Sequence, residues 1–100
     1  MQELICTVRR VGDYDSRTEE YEVLYEAGDA PARTLRVKYQ AARAYEINAA
    51  LDAATEAARA VISAAGLEGP TDEAISKFTW RTIQSAKYRE GEPESSRLGL

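Results

Sequence analysis

The sequence contains no histidine and only one cysteine, Cys6. Without histidine the chain cannot form a Ser-His-Asp triad, a Cys-His pair, a Cys/His zinc site or a histidine-based pH switch. A lone cysteine cannot form a disulfide within the chain. Because Cys6 falls in a predicted strand, we expect a small buried hydrophobic side chain rather than a reactive thiol.

Long hydrophobic runs and strong basic charge are also missing. No run approaches the roughly 20 apolar residues that span a bilayer, and the first residues, MQELICT, lack the basic and apolar regions of a signal peptide. We therefore expect a soluble, cytoplasmic protein without a membrane partner. The net charge is −4, which differs from the basic footprint of nucleic-acid-binding proteins.

The carboxylates do not form a pattern that predicts catalysis, a metal or a cofactor. Pairs and runs of acids occur in predicted turns, in a helix cap and near the C-terminus: Asp13 and Asp15, Asp72 and Glu73, and Glu90, Glu92 and Glu94. A general acid needs a desolvated carboxyl group in a cleft, and nothing in these segments predicts one. We expect no enzyme activity, no bound metal and no cofactor.

The most unusual segment is 41–65, where twelve of 25 residues are alanine and neither glycine nor proline occurs. This composition predicts a long helix. Its core stripe includes Ile47, Leu51 and Ile62. The opposite face carries a predicted helix-contact surface of alanines: Ala49, Ala53, Ala57 and Ala60. This alanine face indicates either simple exposure of a good helix former or close contact with another helix, in the same chain or in a homodimer.

Three strands are predicted before this helix, as an antiparallel meander over about 3–39. Apolar and polar residues alternate in the second and third strands, which places Tyr21, Tyr25 and Tyr39 on the inner face. An alternative starts the long helix at Pro31. A basic strip would form if the first and third strands were neighbours; its members are Arg9, Arg10, Arg33, Arg36, Lys38 and Arg43.

A second helix is predicted over about 72–88, with Thr71 as its capping residue. Residues 78–83 also have strand propensity, so a fourth strand is the alternative there. The composition of 90–100 is typical of a polar tail. The sequence thus predicts one α+β domain over 1–89 followed by that tail.

Tyrosine is unusually frequent, with six residues against one phenylalanine. Exposed tyrosine and tryptophan are enriched in protein interfaces. We expect partner contacts through four aromatic residues outside the predicted core stripes: Tyr14, Tyr45, Trp80 and Tyr88. The resulting hypothesis is a non-catalytic protein-binding regulator or inhibitor, of the kind phages encode to block larger complexes of bacterial defence. The alternative is a nucleic-acid-binding regulator that uses the basic strip.

Overall fold

The computed structural model describes residues 2–12 and 17–100. The elements follow one another as β1 (Glu3–Val11), β2 (Thr18–Glu26), β3 (Arg33–Gln40), α1 (Ala44–Ala64), α2 (Asp72–Ala86) and β4 (Glu94–Gly99). The four strands form one antiparallel sheet in the order β3-β2-β1-β4. The predicted α+β fold, with a three-stranded meander followed by two helices, is confirmed.

The two ambiguous segments are resolved by their neighbours in the fold. Residues 33–40 are a strand paired with β2, so the alternative helix beginning at Pro31 is wrong. Residues 78–83 lie inside α2, where Phe78, Thr79, Thr82 and Ile83 are buried. Spacings of three and four residues place these side chains on one face of a helix, whereas a strand would divide them between two faces.

The C-terminal end differs from the predicted polar tail over 90–100, because Glu94–Gly99 forms β4 on the open edge of β1. Leu98 lies opposite Leu4 in the register and packs against the core. The backbone N–H of Leu100 donates to the carbonyl oxygen of Gln2 at 3.0 Å. Composition indicates disorder because most side chains of this segment are polar, whereas the segment is held by backbone hydrogen bonds and by the apolar contacts of Leu98 and Leu100.

The core lies between the inner face of the sheet and the two helices. Tyr21, Tyr25 and Tyr39 are almost completely buried there, as predicted. A buried phenol needs a hydrogen-bond partner, and the Tyr25 hydroxyl lies 2.6 Å from Oγ1 of Thr79 on α2. This contact joins the centre of the sheet to the second helix.

Both helices have local signals that fix their ends. At the start of α2, the backbone N–H of Ala74 donates to Oγ1 of Thr71 at 3.2 Å, which is the predicted cap. After α1, Gly66 adopts a φ of 75°, and the N–H of Leu67 donates to the carbonyl oxygen of Ile62 at 3.1 Å. This is a Schellman ending, in which a left-handed residue closes the last turn.

Cys6 is fully buried on the inner face, which confirms its predicted placement. Burial raises the pKa of its thiol to about 12. Only the thiolate reacts readily with alkylating reagents, so the folded chain should protect this residue. We predict that a thiol reagent at pH 8 labels Cys6 far more slowly in the native protein than in denaturant. Rapid stoichiometric labelling of the native protein, followed by mass spectrometry, would contradict this placement.

Candidate functional site

The two helices form an antiparallel hairpin whose outer side carries an open groove. Near the hairpin turn, Nη2 of Arg59 on α1 lies 2.7 Å from Oδ1 of Asp72 and donates to the carbonyl oxygen of Pro70 at 2.6 Å. At the other end, Ile47 of α1 and Trp80 of α2 line a common hollow. We use the name helix groove for the surface between the two helices, which runs from Arg59 near the hairpin turn to Ile47 and Trp80 at the other end.

The end of the helix groove remote from the hairpin turn carries three apolar side chains beside Asn48, Ser76 and Lys77. A hollow of about 300 Å³ lies there between Ile47, Leu51 and Trp80. Trp80 is only partly buried, and its ring centroid lies 5.9 Å from that of Tyr39 in the core below. The indole is therefore supported from beneath and accessible from outside, an arrangement common in interface residues.

The end of the helix groove near the hairpin turn is lined mainly by charged residues and has the larger volume, about 700 Å³. Its lining residues come from facing turns of the two helices: Asp52, Thr55, Glu56, Arg59, Asp72, Glu73, Ser76 and Lys77. Arg59 pairs with Asp72, and Lys77 pairs with Glu73 at 3.1 Å. Asp52 and Glu56, one turn apart on α1, form no ion pair with another residue of the described chain.

A buried polar cluster lies at one end of the sheet. Glu19 is only 5 % exposed; its Oε1 accepts a 2.6 Å hydrogen bond from the Tyr21 hydroxyl, and the Tyr39 hydroxyl lies 3.5 Å away. Nζ of Lys87 lies 3.8 Å from Oε2 of Glu19, and Nη1 of Arg10 donates to the carbonyl oxygen of Lys87 at 2.9 Å. The cluster therefore anchors the end of α2 to the sheet.

Glu19 is not among the predicted site residues, although its position in the sequence carries a signal of burial. Glu19 has the same strand parity as Tyr21, Val23 and Tyr25, which places all four on the inner face. A glutamate at an inward position predicts a buried partner. The partners themselves, on β3 and beyond α2, could not be identified without the tertiary structure.

Three of the four aromatic residues predicted to contact a partner lie within the described residues. Tyr14 lies outside the described residues. Tyr45, at the start of α1, is 65 % exposed, and Tyr88, just after α2, is 72 % exposed. Because the helices are antiparallel, these two tyrosines lie at the same end of the hairpin, which is also the end where Trp80 lines its hollow.

The alanine face divides into two parts in the structure. Ala49 and Ala53 are exposed, whereas Ala57 and Ala60 are half-buried. Ala57 packs against the core. Within the described chain, contact with the rest of the fold therefore reaches only the later half of this face. Whether a second protomer covers the exposed half stays a prediction.

The adjacency on which the basic strip depends is wrong, because β2 lies between β1 and β3. On the outer face of the sheet, Nη2 of Arg9 lies 3.3 Å from Oε1 of Glu22, and Nη1 of Arg36 lies 3.1 Å from Oε2 of Glu20. Arg10 has the opposite parity to Arg9 and belongs to the buried cluster. The glutamates of β2 thus interrupt the positive charge, and such exposed cross-strand pairs contribute a few tenths of a kcal/mol each.

Three comparisons with known proteins found no matching family model, no similar curated protein and no similar solved structure. Neither helix of the described chain is both long and apolar enough to cross a membrane. Over 2–12 and 17–100, no three histidine, cysteine, aspartate or glutamate side chains converge as they would around a metal ion. The site must therefore be interpreted from its own geometry.

The buried tyrosines predict sensitivity to alkali. Burial and nearby Glu19 raise the pKa of Tyr39 to about 12, and burial also raises the pKa values of Tyr21 and Tyr25. The unfolded chain ionises these phenols near pH 10, so their contribution to stability is constant well below pH 10 and is lost as pH rises from 10 through 12. The buried Cys6 thiol, whose pKa is also raised, adds a loss that begins at a lower pH and is the same in parent and variant. Each buried phenol contributes at most about 1.4 kcal/mol per pH unit.

Urea unfolding between pH 8 and 12 measures this effect, with Tyr39→Phe as the matched variant. The variant lacks one ionisable phenol, so its free energy of unfolding should fall less steeply above pH 10 than that of the parent. Equal slopes in the two proteins would contradict the assignment of Tyr39.

The two halves of the alanine face should respond differently to charge. Ala53→Glu places a carboxylate in solvent, so we expect a change within about 0.5 kcal/mol. Ala57→Glu forces a charged side chain against the core, so we expect a loss of about 2 kcal/mol or more. Thermal unfolding and solution mass test both variants. A large loss of stability or a lower mass with Ala53→Glu would show that the exposed half contacts a second protomer.

Proposed function

We propose that this chain is a non-catalytic protein-binding regulator or inhibitor that contacts its partner through the helix groove and the tyrosines beside it. The observation that carries the proposal is the position of Trp80. This residue is the chain's one tryptophan, and it lines an open hollow with Ile47 and Leu51. Tryptophan and tyrosine account for a large share of binding energy in protein interfaces.

The two exposed tyrosines support the same interpretation. Tyr45 and Tyr88 are the large hydrophobic residues that the described chain leaves mostly exposed. The hydroxyl of Tyr45 accepts a 3.0 Å hydrogen bond from Nη1 of Arg43, and Nζ of Lys87 lies 5.6 Å from the ring centroid of Tyr88. Both rings thus have a neighbour that restricts them, which lowers the entropy lost on binding.

The wider biological role rests on composition. A chain of 100 residues with net charge −4 and no histidine suits an inhibitor that occupies a larger protein, such as a phage protein that blocks a bacterial defence complex. We also propose that this activity belongs to the cytoplasm, where single cysteines stay reduced. The nucleic-acid alternative has less support, since glutamates of β2 pair with Arg9 and Arg36.

Alanine variants of Trp80, Tyr45 and Tyr88 test the proposal. The parent protein is immobilised and used to capture its partner from host-cell lysate, and each variant is compared with it by quantitative mass spectrometry. Removing a hot-spot residue should weaken binding by about 2 kcal/mol, or roughly thirtyfold. Lys38→Ala, exposed on the outer face of the sheet, is the control and should retain the partner.

Circular dichroism and thermal unfolding confirm that each variant is folded, which matters most for Trp80→Ala because the indole packs against Tyr39. Retention of the partner by all three aromatic variants would contradict the proposed surface. If Asp72→Asn or Glu73→Gln abolished activity while partner binding persisted, the protein would be an enzyme and the proposed class would be wrong.

A further inference from the structure

The helix groove is continuous from its charged end to its apolar end. Ser76 and Lys77 line both hollows, so the two share one wall on α2. On α1 the lining runs from Ile47 to Arg59, a length of about 18 Å at 1.5 Å per residue. Three turns of a helix have a similar length. The groove thus has the dimensions of a helix-in-groove site.

The negative charge within the helix groove is not fully paired at Asp52 and Glu56. The two cationic side chains are already paired, Arg59 with Asp72 and Lys77 with Glu73. Asp52 and Glu56 line the same hollow as these two cations but form no ion pair in the described chain, and they lie at the repelling spacing of i and i+4. A positively charged group bound here would relieve that repulsion.

Thr55 lies between these two acids in sequence and contributes an independent observation. Thr55 is one of the lining residues of the groove and is 8 % exposed, yet its buried Oγ1 has no hydrogen-bond partner among the described residues. Buried hydroxyl groups are almost always paired in native structures. A polar group entering between the helices would supply the missing partner.

We propose that the helix groove binds a basic amphipathic helix of a partner protein. The partner's apolar side chains pack on Ile47, Leu51 and Trp80, and its lysine or arginine side chains approach Asp52 and Glu56. This inference rests on the proposed function and deepens it by naming the partner's chemistry. A second copy of this chain is a poor occupant, because each copy carries a net charge of −4.

Fluorescence titration with designed peptides tests the proposal on the intact protein. The probe is a stapled helical peptide of about 12 residues, since shorter isolated helices are marginal in water, with leucine on one face and lysine on the others. One control peptide replaces lysine with glutamate, and another replaces leucine with alanine. Trp80 is the reporter because it is the chain's one tryptophan and lines the groove.

We expect saturable binding and a shift in tryptophan emission with the leucine/lysine peptide, and at least tenfold weaker binding with either control. The double variant Asp52→Asn, Glu56→Gln should bind at least tenfold more weakly and show a smaller dependence on salt. The matched control is Glu3→Gln with Glu26→Gln, which makes the same change in net charge on the outer face of the sheet and should bind as the parent does. Thermal unfolding verifies that both double variants are folded.

Three outcomes overturn the proposal: equal affinity for the lysine and glutamate peptides, no binding of the leucine/lysine peptide, or an equal effect of the two double variants. Sedimentation of the free protein can give a fourth such outcome. If the free protein is a dimer that the leucine/lysine peptide dissociates, the occupant of the helix groove is a second copy of this chain. Failure of the basic-helix proposal can be distinguished from failure of the proposed function. If the aromatic variants still lose the captured partner, the proposed function stands and only the basic helix is excluded.

Discussion

The fold depends on the pairing of buried tyrosine hydroxyls on the inner face of the sheet, one with the helix that covers it and two with a carboxylate of the sheet itself. Tyr21, Tyr25 and Tyr39 occupy the inner face, where an alkyl side chain would need no polar partner. Each phenol must instead be matched, since a buried unpaired hydroxyl costs about 1–3 kcal/mol. Thr79 of α2 lies opposite Tyr25, and Glu19 of β2 lies within reach of the hydroxyl of Tyr21 on the same strand and of Tyr39 on β3. The register of the strands and the position of α2 are therefore specified together.

The layer of buried tyrosines also determines which aromatic ring the helices expose to solvent. Tyr39 lies between Tyr21 and Trp80, with ring centroids 6.0 and 5.9 Å away. This row of rings leads from the buried cluster to the helix groove, and it holds the indole at the surface rather than in the core. A supported and accessible aromatic ring is already ordered before binding, which is why the proposed interface is centred on Trp80.

The outer face of the sheet has a different role. Its exposed pairs, Arg9 with Glu22 and Arg36 with Glu20, contribute little stability individually but disfavour a shifted register, because a slip of one residue would move each charge to the inner face. They also cancel much of the positive charge that the strands contribute. Asp52 and Glu56 are two of the carboxylates that form no ion pair in the described chain, and their place in the helix groove gives that groove its proposed preference for a basic partner.

Local patterns in the sequence were sufficient for much of this fold. Alternation placed Tyr21, Tyr25 and Tyr39 inward, alanine content predicted α1, and Thr71 marked the start of α2, because these features depend on residues close together in the chain. The face of α1 that carries Ile47 and Leu51 was also predicted, but not its use as one wall of a groove. The surface tyrosines were singled out by residue type and by their positions outside the predicted core stripes.

Tertiary structure decided whatever depends on partners distant in sequence. The strand order separated Arg9 from the cations of β3. Glu94–Gly99, whose composition indicates a tail, pairs with the edge of β1 that β2 leaves open. Burial of Glu19 required Tyr39 and Lys87, which lie 20 and 68 positions further along the chain. The sequence by itself determined the elements and their inward faces, because those follow from local periodicity. The tertiary structure alone decided which elements are neighbours, because that depends on contacts between residues distant in sequence. Those contacts also decided where the groove and its unpaired charges lie.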